Sequence, residues 1–524
     1  MNQDSPANSP QVNKWLITIA VMAGTFMEVV DTTVVNVALP HIAGNLSAGV
    51  DESTWVLTSY LVANAIVLPI TGWLSALFGR KRFLMICLAL FTGSSMLCAA
   101  APNLGMLVFF RVIQGLGGGG LQPISQAILL ETFPVQERGM AMALWAIGVI
   151  FAPIVGPLMG GWLTDNLSWR WAFYINFPVG LLALVMTALF IFDPSYVRAQ
   201  RAGRIDYWGL TLLCIGLGAL QIVLDKGERE DWFSSAFIVR LTVISVVALA
   251  VLIYWELKTK DPVVDLRLCK ERNYASGVTM VFFVGFVLYG SVMLLPLFLQ
   301  TLMAYDATTS GWALAYGGVA SLLIMPIVGR LTTVIDNRIL IGMGLVINAL
   351  AVYLMSLYNL QIDFGTAWWP RFIQGFGLAF VFVPLTTLTM SRISQEKMGN
   401  ATGIFNLLRN LGGSFGIAVA STLLSRRAQL HQSHLVEHVT PFHLPFNDWL
   451  QRAGGLFGAD PGGNYWQAPQ ALAGLYQEVQ RQAQMLAYCD TYWFFTLVFL
   501  ALLPLVLLMR RAARSSAGAT EMLH

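Results

Sequence analysis

The stretch Glu28-Val-Val-Asp31-Thr-Thr-Val-Val-Asn36-Val-Ala-Leu-Pro40 places two carboxylates inside a 25-residue apolar run, Trp15–Leu39. About 20 apolar residues wound as a helix cover the hydrocarbon core of a bilayer, so the run reads as a membrane span. Glu28 and Asp31 are three residues apart and fall on one helical face. Acids at that depth are costly unless paired, and they mark ion or substrate paths. The alternative is that they only hydrogen-bond neighbouring helices and hold a bundle together.

The rest of the chain fits this environment. Apolar residues make up 56% of it and charged residues 11%, which puts it outside the soluble globular class. A net charge of +3 gives no basis for nucleic-acid binding. The five cysteines show neither a disulfide framework nor a metal knuckle. The first apolar run is too long for a signal core, so no cleaved leader is expected. Hydropathy marks about fourteen spans, from Trp15–Leu39 to Trp493–Met509, with short ones at Tyr207–Leu224, Leu241–Trp255 and Trp312–Val328. Alternate loops carry Arg80-Lys81-Arg82, Arg138, Arg198 to Arg204, Lys258 to Arg272, Arg330 with Arg338, and Arg392 with Lys397. The opposite short loops are nearly bare of Lys and Arg, so the positive-inside bias places both termini in the cytoplasm. One polar connection, residues 425–490, falls on the outer side, and loops of that length are usually functional. Its His434 and His438 could share a helical face and bind zinc, but a docking surface or a cap over the outer mouth suits the segment better, and no metal site is assigned.

The chain also repeats itself at an offset of about 260 residues. Pro69-Ile-Thr-Gly72 matches Pro326-Ile-Val-Gly329, Arg111-Val-Ile-Gln114-Gly115 matches Arg371-Phe-Ile-Gln374-Gly375, and Glu137-Arg-Gly139-Met-Ala141 matches Lys397-Met-Gly399-Asn-Ala401. The expected fold is therefore all-α: two six-helix halves, residues 1–192 and 274–524, with an inserted two-helix hairpin in the linker 193–273. Duplicated halves are the build of an alternating-access transporter with its site at the midplane.

Depth selects the partner of Asp31. It lies eight residues from the outer end of its span, and Arg111 five or six from the outer end of the fourth, at about 12 and 8–9 Å by helical rise. A nearby guanidinium favours the ionised acid, and burial without it favours the protonated one, so changing between the two conditions would load and release a proton. Glu28, one turn deeper, is expected to titrate with Asp31 as a pair. The register opposite Asp31 in the second half falls near Leu288 to Ser291 and holds no acid. Gln114, Asn406, Arg409 and Asn410 are expected in the wall of the substrate cavity. Gly156-Pro157 and Gly160-Gly161 are expected to admit a neighbouring helix closely and to bend the fifth span.

These motifs together resemble the major facilitator superfamily, in its fourteen-span drug:proton antiporter branch of the EmrB/QacA type, over nearly the whole chain. Asp31 to Pro40 is similar to that branch's first-span signature, Gly72-Trp-Leu74 through Gly79-Arg80-Lys81-Arg82 to the family's cytoplasmic gating loop, Arg111 to Gly117 to its fourth-span motif, and Ala152 to Gly161 to the antiporter motif. Trp169-Arg170-Trp171-Ala-Phe-Tyr174-Ile-Asn176-Phe-Pro178 is also typical of the branch. Ala76 stands where the gating loop usually carries an Asp. The resemblance implies a multidrug exporter of the bacterial inner membrane, not an enzyme, that exports amphipathic compounds. It would be driven by the proton-motive force without a cofactor. It also implies as partners a periplasmic EmrA-like adaptor and a TolC-like outer-membrane channel.

Overall fold

The computed structural model describes residues 13–193, 206–259, 262–437, 439 and 469–511. Among these residues the chain forms helices and no strand. Fourteen of the helices are long and apolar enough to cross a membrane. They are α1 (Lys14–Asn45), α2 (Trp55–Phe78), α3 (Arg80–Ala99), α4 (Leu104–Thr132), α5 (Arg138–Asn166), α6 (Trp171–Phe190), α7 (Tyr207–Lys226), α8 (Ala236–Lys258), α9 (Arg272–Thr301), α10 (Ala307–Val334), α11 (Asn337–Ser356), α12 (Phe364–Met390), α13 (Met398–Glu437) and α14 (Pro469–Leu508). Several start on a side-chain cap: Asn103 accepts from the Met106 amide, Asp206 from Gly209, Asp306 from Thr308 and Thr309, and Asp363 from Thr366. Each cap satisfies an N–H that the helix itself leaves open.

Glycines set how closely the helices approach. In α4, Gly115 and Gly119 lie against the Tyr60 and Asn64 carbonyls of α2, and a Cβ on either would come within 2.5 Å of that oxygen. Gly117 and Gly120 of the same helix face Cys87, Leu90 and Phe91 or Phe83 of α3. Helix α4 is thus wedged between α2 and α3, with backbone in near contact with backbone on both sides. In the second half Gly412 and Gly416 of α13 meet the Phe282 and Phe286 carbonyls of α9 in the same way. Such close approach replaces the driving force that apolar burial cannot supply in lipid.

Gly156 and Gly160 of α5 lie against Thr33 and Val34 of α1. Gly161 departs from the close approach expected of it: nothing lies within 4 Å of the place its Cβ would occupy, so close packing does not account for it. The halves also meet at the face bearing Arg80 and Lys81, called inner below. Gly72 at the end of α2 abuts Asn400 of α13, and Gly139 at the start of α5 abuts Gly329 and Thr332 of α10.

Two expectations of extent change. The short eighth and tenth spans are longer helices, because flanking residues such as Arg240 and Arg330 depress hydropathy without interrupting the backbone ladder. The polar connection 425–490 is largely helix at both flanks. Helices α13 and α14 have 40 residues each, about 60 Å at 1.5 Å per residue, twice the hydrocarbon thickness. In the extended part they pair, His431 with Asp490 at 2.8 Å and Arg427 with Asp490 at 3.6 Å, while Arg481 of α14 donates to the carbonyl of Leu302, at the end of α9, at 3.0 Å. His438 and His443, with Arg198, Arg201, Arg204 and Lys260, lie outside the described residues.

The hairpin α7–α8 is asymmetric in its packing. Helix α8 turns Val243, Ile244, Val246 and Val247 outward to lipid, whereas α7 touches both halves. Toward α2, Lys226 donates to Thr54 at 2.5 Å and lies over the Trp55 ring, and Asp225 accepts from Thr58. Toward α13, Gln221 donates to Ser414 at 3.0 Å and Trp232 to Thr422 at 2.9 Å, and Glu228 accepts from Ser421.

Gly156→Ala should destabilise the protein by about 1–3 kcal/mol by overpacking α5 on α1, while Gly161→Ala should stay within about 0.5 kcal/mol of the parent. Thermal melting of the two variants in detergent reads the difference.

Candidate functional site

The site begins where α1, α4 and α6 converge. Asp31 is fully buried, and both its oxygens are engaged: Oδ2 accepts from Arg111 Nη1 at 2.6 Å, and Oδ1 from Gln114 Nε2 at 2.9 Å and Asn176 Nδ2 at 2.6 Å. Arg111, also fully buried, donates further to the Val56 carbonyl at 3.0 Å and to Gln114 Oε1 at 2.8 Å. Its guanidinium lies 4.2 Å from the Tyr60 ring centroid and 5.7 Å from that of Phe173. Asn176 is itself oriented by a 3.0 Å bond to Ser95. A pair this enclosed gains from charge-assisted hydrogen bonds what it loses in hydration, provided the remaining lone pairs are met. The structure thus brings Asp31 and Arg111 together, and places Gln114 in the shell of the acid rather than in an open cavity wall.

Glu28 occupies a second cluster. It accepts from the Tyr60 hydroxyl at 3.1 Å, Asn64 Nδ2 at 3.1 Å and Gln122 Nε2 at 2.5 Å. Tyr60 is common to both clusters, its hydroxyl on Glu28 and its ring against Arg111. Although Glu28 and Asp31 share a helical face, they do not share a cation at hydrogen-bond distance: Arg111 serves Asp31 alone.

The second cluster reaches across the halves. The Oε1 of the same Gln122 accepts from Arg409 Nη2 of α13, so one amide group joins a carboxylate of α1 to a guanidinium of the other half. Arg409 also donates to Asn410 at 3.3 Å and lies 5.5 Å from the Trp145 ring and 5.9 Å from Phe382, two rings stacked on each other from opposite halves. Its Nε and Nη1 are buried without a hydrogen-bond partner. One turn away, Asn406 Nδ2 donates to Gln126 Oε1 at 2.7 Å, a second bond between α13 and α4. Asn406, Arg409 and Asn410 therefore line one side of an inter-half seam, and Gln122 and Gln126 the other.

At the inner end Arg80 is 4% exposed and pairs with Glu131 at 2.5 Å; it also reaches the Gln395 carbonyl of the second half at 3.5 Å. Gly79 adopts φ +85°, and the carboxylate of Asp193 sits where its Cβ would be, accepting from the Lys81 amide at 2.8 Å. Ala76 lies inside α2, and Glu131 and Asp193 supply the local negative charge.

Sequence reasoning did not single out Tyr60, Asn64, Gln122, Gln126, Glu131 or Asp193. A signal existed for four of them: Tyr60 with Asn64, and Gln122 with Gln126, are polar pairs at i, i+4 inside apolar spans, hence on one face. Among the described residues no group of three or more His, Cys, Asp or Glu is placed to hold a metal ion.

An all-helical bundle of fourteen membrane-length helices with buried charges at the seam of a duplicated architecture defines a multi-pass membrane transporter. A family profile described as "Major Facilitator Superfamily" matches residues 21–417. The chain belongs to the Major Facilitator Superfamily and is of the EmrB type within it. It is 39% identical over 507 residues to the "Multidrug export protein EmrB" of Escherichia coli (strain K12), covering 97% of each chain. It is 37% identical over 507 residues to the "Fatty acid resistance protein FarB" of Neisseria gonorrhoeae, covering 96% of this chain and 97% of that one. Among solved structures, the human organic anion transporter MFSD10 aligns with a TM-score of 0.59 at 14% identity, over 93% of this chain and 100% of that one, a likeness of fold.

Removing one member of the buried pair should cost about 3–5 kcal/mol. Arg111→Gln is therefore expected to lower the melting temperature sharply. The double variant Arg111→Gln/Asp31→Asn should recover part of the loss, which a double-mutant cycle of melting curves will read.

Proposed function

We propose that the protein is a proton-driven exporter of amphipathic, largely apolar toxic compounds, working by alternating access of residues 1–192 against 274–524. The observation that carries this reading is the chain Glu28–Gln122–Arg409. It ties an acid buried in the first half to the seam that must part when the halves rock. An ionised Glu28 holds the Gln122 amide by its N–H donor, leaving Oε1 for Arg409. A protonated Glu28 is a weaker acceptor, which loosens Gln122 and with it the seam. Asp31 acts as the primary proton carrier, released from Arg111 in one state and held by it in the other. Arg111 sets which form of the acid is favoured.

The energetics suit export. One proton crossing 100 mV releases about 2.3 kcal/mol, and one pH unit adds about 1.36 kcal/mol. The likeness to named multidrug export and fatty acid resistance proteins supports the substrate class of membrane-soluble toxicants. The Lys/Arg distribution supports a bacterial inner-membrane orientation with both termini in the cytoplasm. The paired outer extensions of α13 and α14 would then stand in the periplasm, where an EmrA-like adaptor leading to a TolC-like channel would dock.

In proteoliposomes with an imposed pH gradient, Asp31→Asn should abolish gradient-driven substrate movement while leaving substrate equilibration down its own gradient. Glu28→Gln should retain substrate binding but weaken the coupling. If Asp31→Asn still concentrates substrate against its gradient, the proton assignment fails. Substrate moving in the same direction as the protons would instead favour a proton-coupled importer.

A further inference from the structure

A pair of acids stands at the inner foot of the inserted hairpin, apart from the site in the first half. Asp206 caps α7: its Oδ1 accepts from the Gly209 amide at 2.9 Å, and its Oδ2 from the Trp255 indole N–H of α8 at 2.8 Å. Glu256 follows Trp255 in the last turn of α8. It is 1% exposed, and neither of its carboxyl oxygens has a hydrogen-bond partner among the described residues. The two acids converge on Gly209. Asp206 Oδ2 lies 2.7 Å and Glu256 Oε1 2.9 Å from the point that a Gly209 Cβ would occupy, so the two oxygens are no more than about 6 Å apart. Any larger residue at 209 would stand between them.

The charges around Glu256 are already committed. On its own helix Lys258 donates to the Tyr254 hydroxyl. In the segment that leads to α9, Arg267 donates to the Leu257 carbonyl at 3.3 Å and the Thr259 carbonyl at 2.7 Å, and Asp265 pairs with Lys397 at 2.7 Å. Cys269 and Lys270 of that segment and Tyr207 of α7 are exposed. The Val263 and Val264 amides face the Glu256 carboxyl group without reaching hydrogen-bond geometry. An enclosed carboxyl group with no donor and a second carboxylate beside it is cheapest when it keeps its proton. Two acids at close range then settle on one shared proton.

We propose that Glu256 and Asp206 share a single proton, carried on Glu256 and donated to the Asp206 carboxylate, and that the pair is a pH-responsive clasp between the feet of α7 and α8. When the proton leaves for the inner aqueous phase, two like charges face each other across Gly209 and the clasp opens. The ionised Glu256 then turns to the Val263 and Val264 amides. Their segment is tied through Asp265 to Lys397, the residue before α13, and Gly399 of α13 lies against Arg80 at the inner contact between the halves. Loss of the proton thus hands the foot of α8 from α7 to the segment that leads into the second half. The clasp is separate from Asp31 and Glu28, which lie in α1.

The test uses the purified full-length chain in detergent, wild type beside Glu256→Gln, whose amide keeps the shape of the protonated acid at every pH. The unfolded chain releases the Glu256 proton in the ordinary carboxyl range, whereas the folded chain holds it, so wild-type stability falls as pH rises between those two points. The two proteins should melt nearly together at about pH 5, and by about pH 8 the variant should melt higher by about 2 °C or more. Infrared difference spectra, wild type minus Glu256→Gln, should show a carboxylic-acid C=O band at about pH 6, well above the ordinary carboxyl range. In an Asp206→Asn background that band should vanish at lower pH, because the facing charge is gone. The proposal is overturned if the melting points of wild type and Glu256→Gln run in parallel across the range, or if the variant melts lower at the alkaline end. It is equally overturned if no acid band appears, or if Asp206→Asn leaves its pH range unchanged. Sodium stabilising the wild type over N-methylglucamine, but not the variant, would also overturn it by making the ligand a metal cation.

Discussion

A carboxylate and a guanidinium held 2.6 Å apart, both fully enclosed, fix what the first half can do. Both are shut off from bulk solvent, so their lone pairs and N–H groups look to nearby groups, and all but Arg111 Nη2 find them: Gln114, Asn176 and Arg111 on the acid, the Val56 carbonyl, Gln114 and the Tyr60 face on the base. Five helices are committed by these bonds. Asp31 comes from α1, Val56 and Tyr60 from α2, Ser95 from α3, Arg111 and Gln114 from α4, and Asn176 from α6. The first half is therefore held as one body by its polar centre as much as by its glycine contacts, which is what rigid-body rocking requires.

The seam between the halves is built from different chemistry. It uses single amides, Gln122 and Gln126 against Arg409 and Asn406, an aromatic stack of Trp145 on Phe382, and close backbone approach at Gly72 and Gly139. The neutral Asn406–Gln126 bond contributes about 1 kcal/mol and the charged Arg409–Gln122 bond about 1.5–3 kcal/mol, against about 3–5 kcal/mol for breaking the buried ion pair. In the proposed alternating-access cycle a seam of this kind would part before the interior of either half does, and the order of strengths, not any single contact, would let the molecule move as two bodies.

The sequence carried the depth match of Asp31 and Arg111, the duplication and the inserted hairpin, because helical rise and a repeated register are properties of spacing alone. It did not carry the separation of Glu28 from Asp31. Three residues apart they share a face, but a helix face about 100° wide meets more than one neighbour, and Tyr60 and Asn64 of α2 draw Glu28 away from the base. Gln114 was misplaced for a related reason: its position one turn after Arg111 is compatible with a cavity or with the acid, and only the packing of α4 on α1 decides. The long helices α13 and α14 were hidden because hydropathy sees a membrane, whereas hydrogen bonding continues into water wherever residues such as Arg427, His431 and Asp490 can pair. Asn176 was quoted within a motif but given no role, since nothing local reveals that α6 delivers it to α1.

The inserted hairpin bears on the same division of labour. Helix α7 bonds to α2 through Lys226 and Asp225 and to α13 through Gln221, and the turn after it bonds to α13 through Glu228 and Trp232, so this segment touches both halves. A third element attached to both bodies cannot stay fixed to both while they rock; one set of contacts must yield. The α2 side carries two charged groups, Lys226, which is 8% exposed and lies against the Trp55 ring, and Asp225, whereas the α13 side carries one, Glu228, beside a neutral amide and an indole N–H. In the proposed alternating-access cycle α7 would therefore travel with α2 and slide on α13. The insertion would then act as an added wall of the first half, and fourteen helices would still move as two bodies.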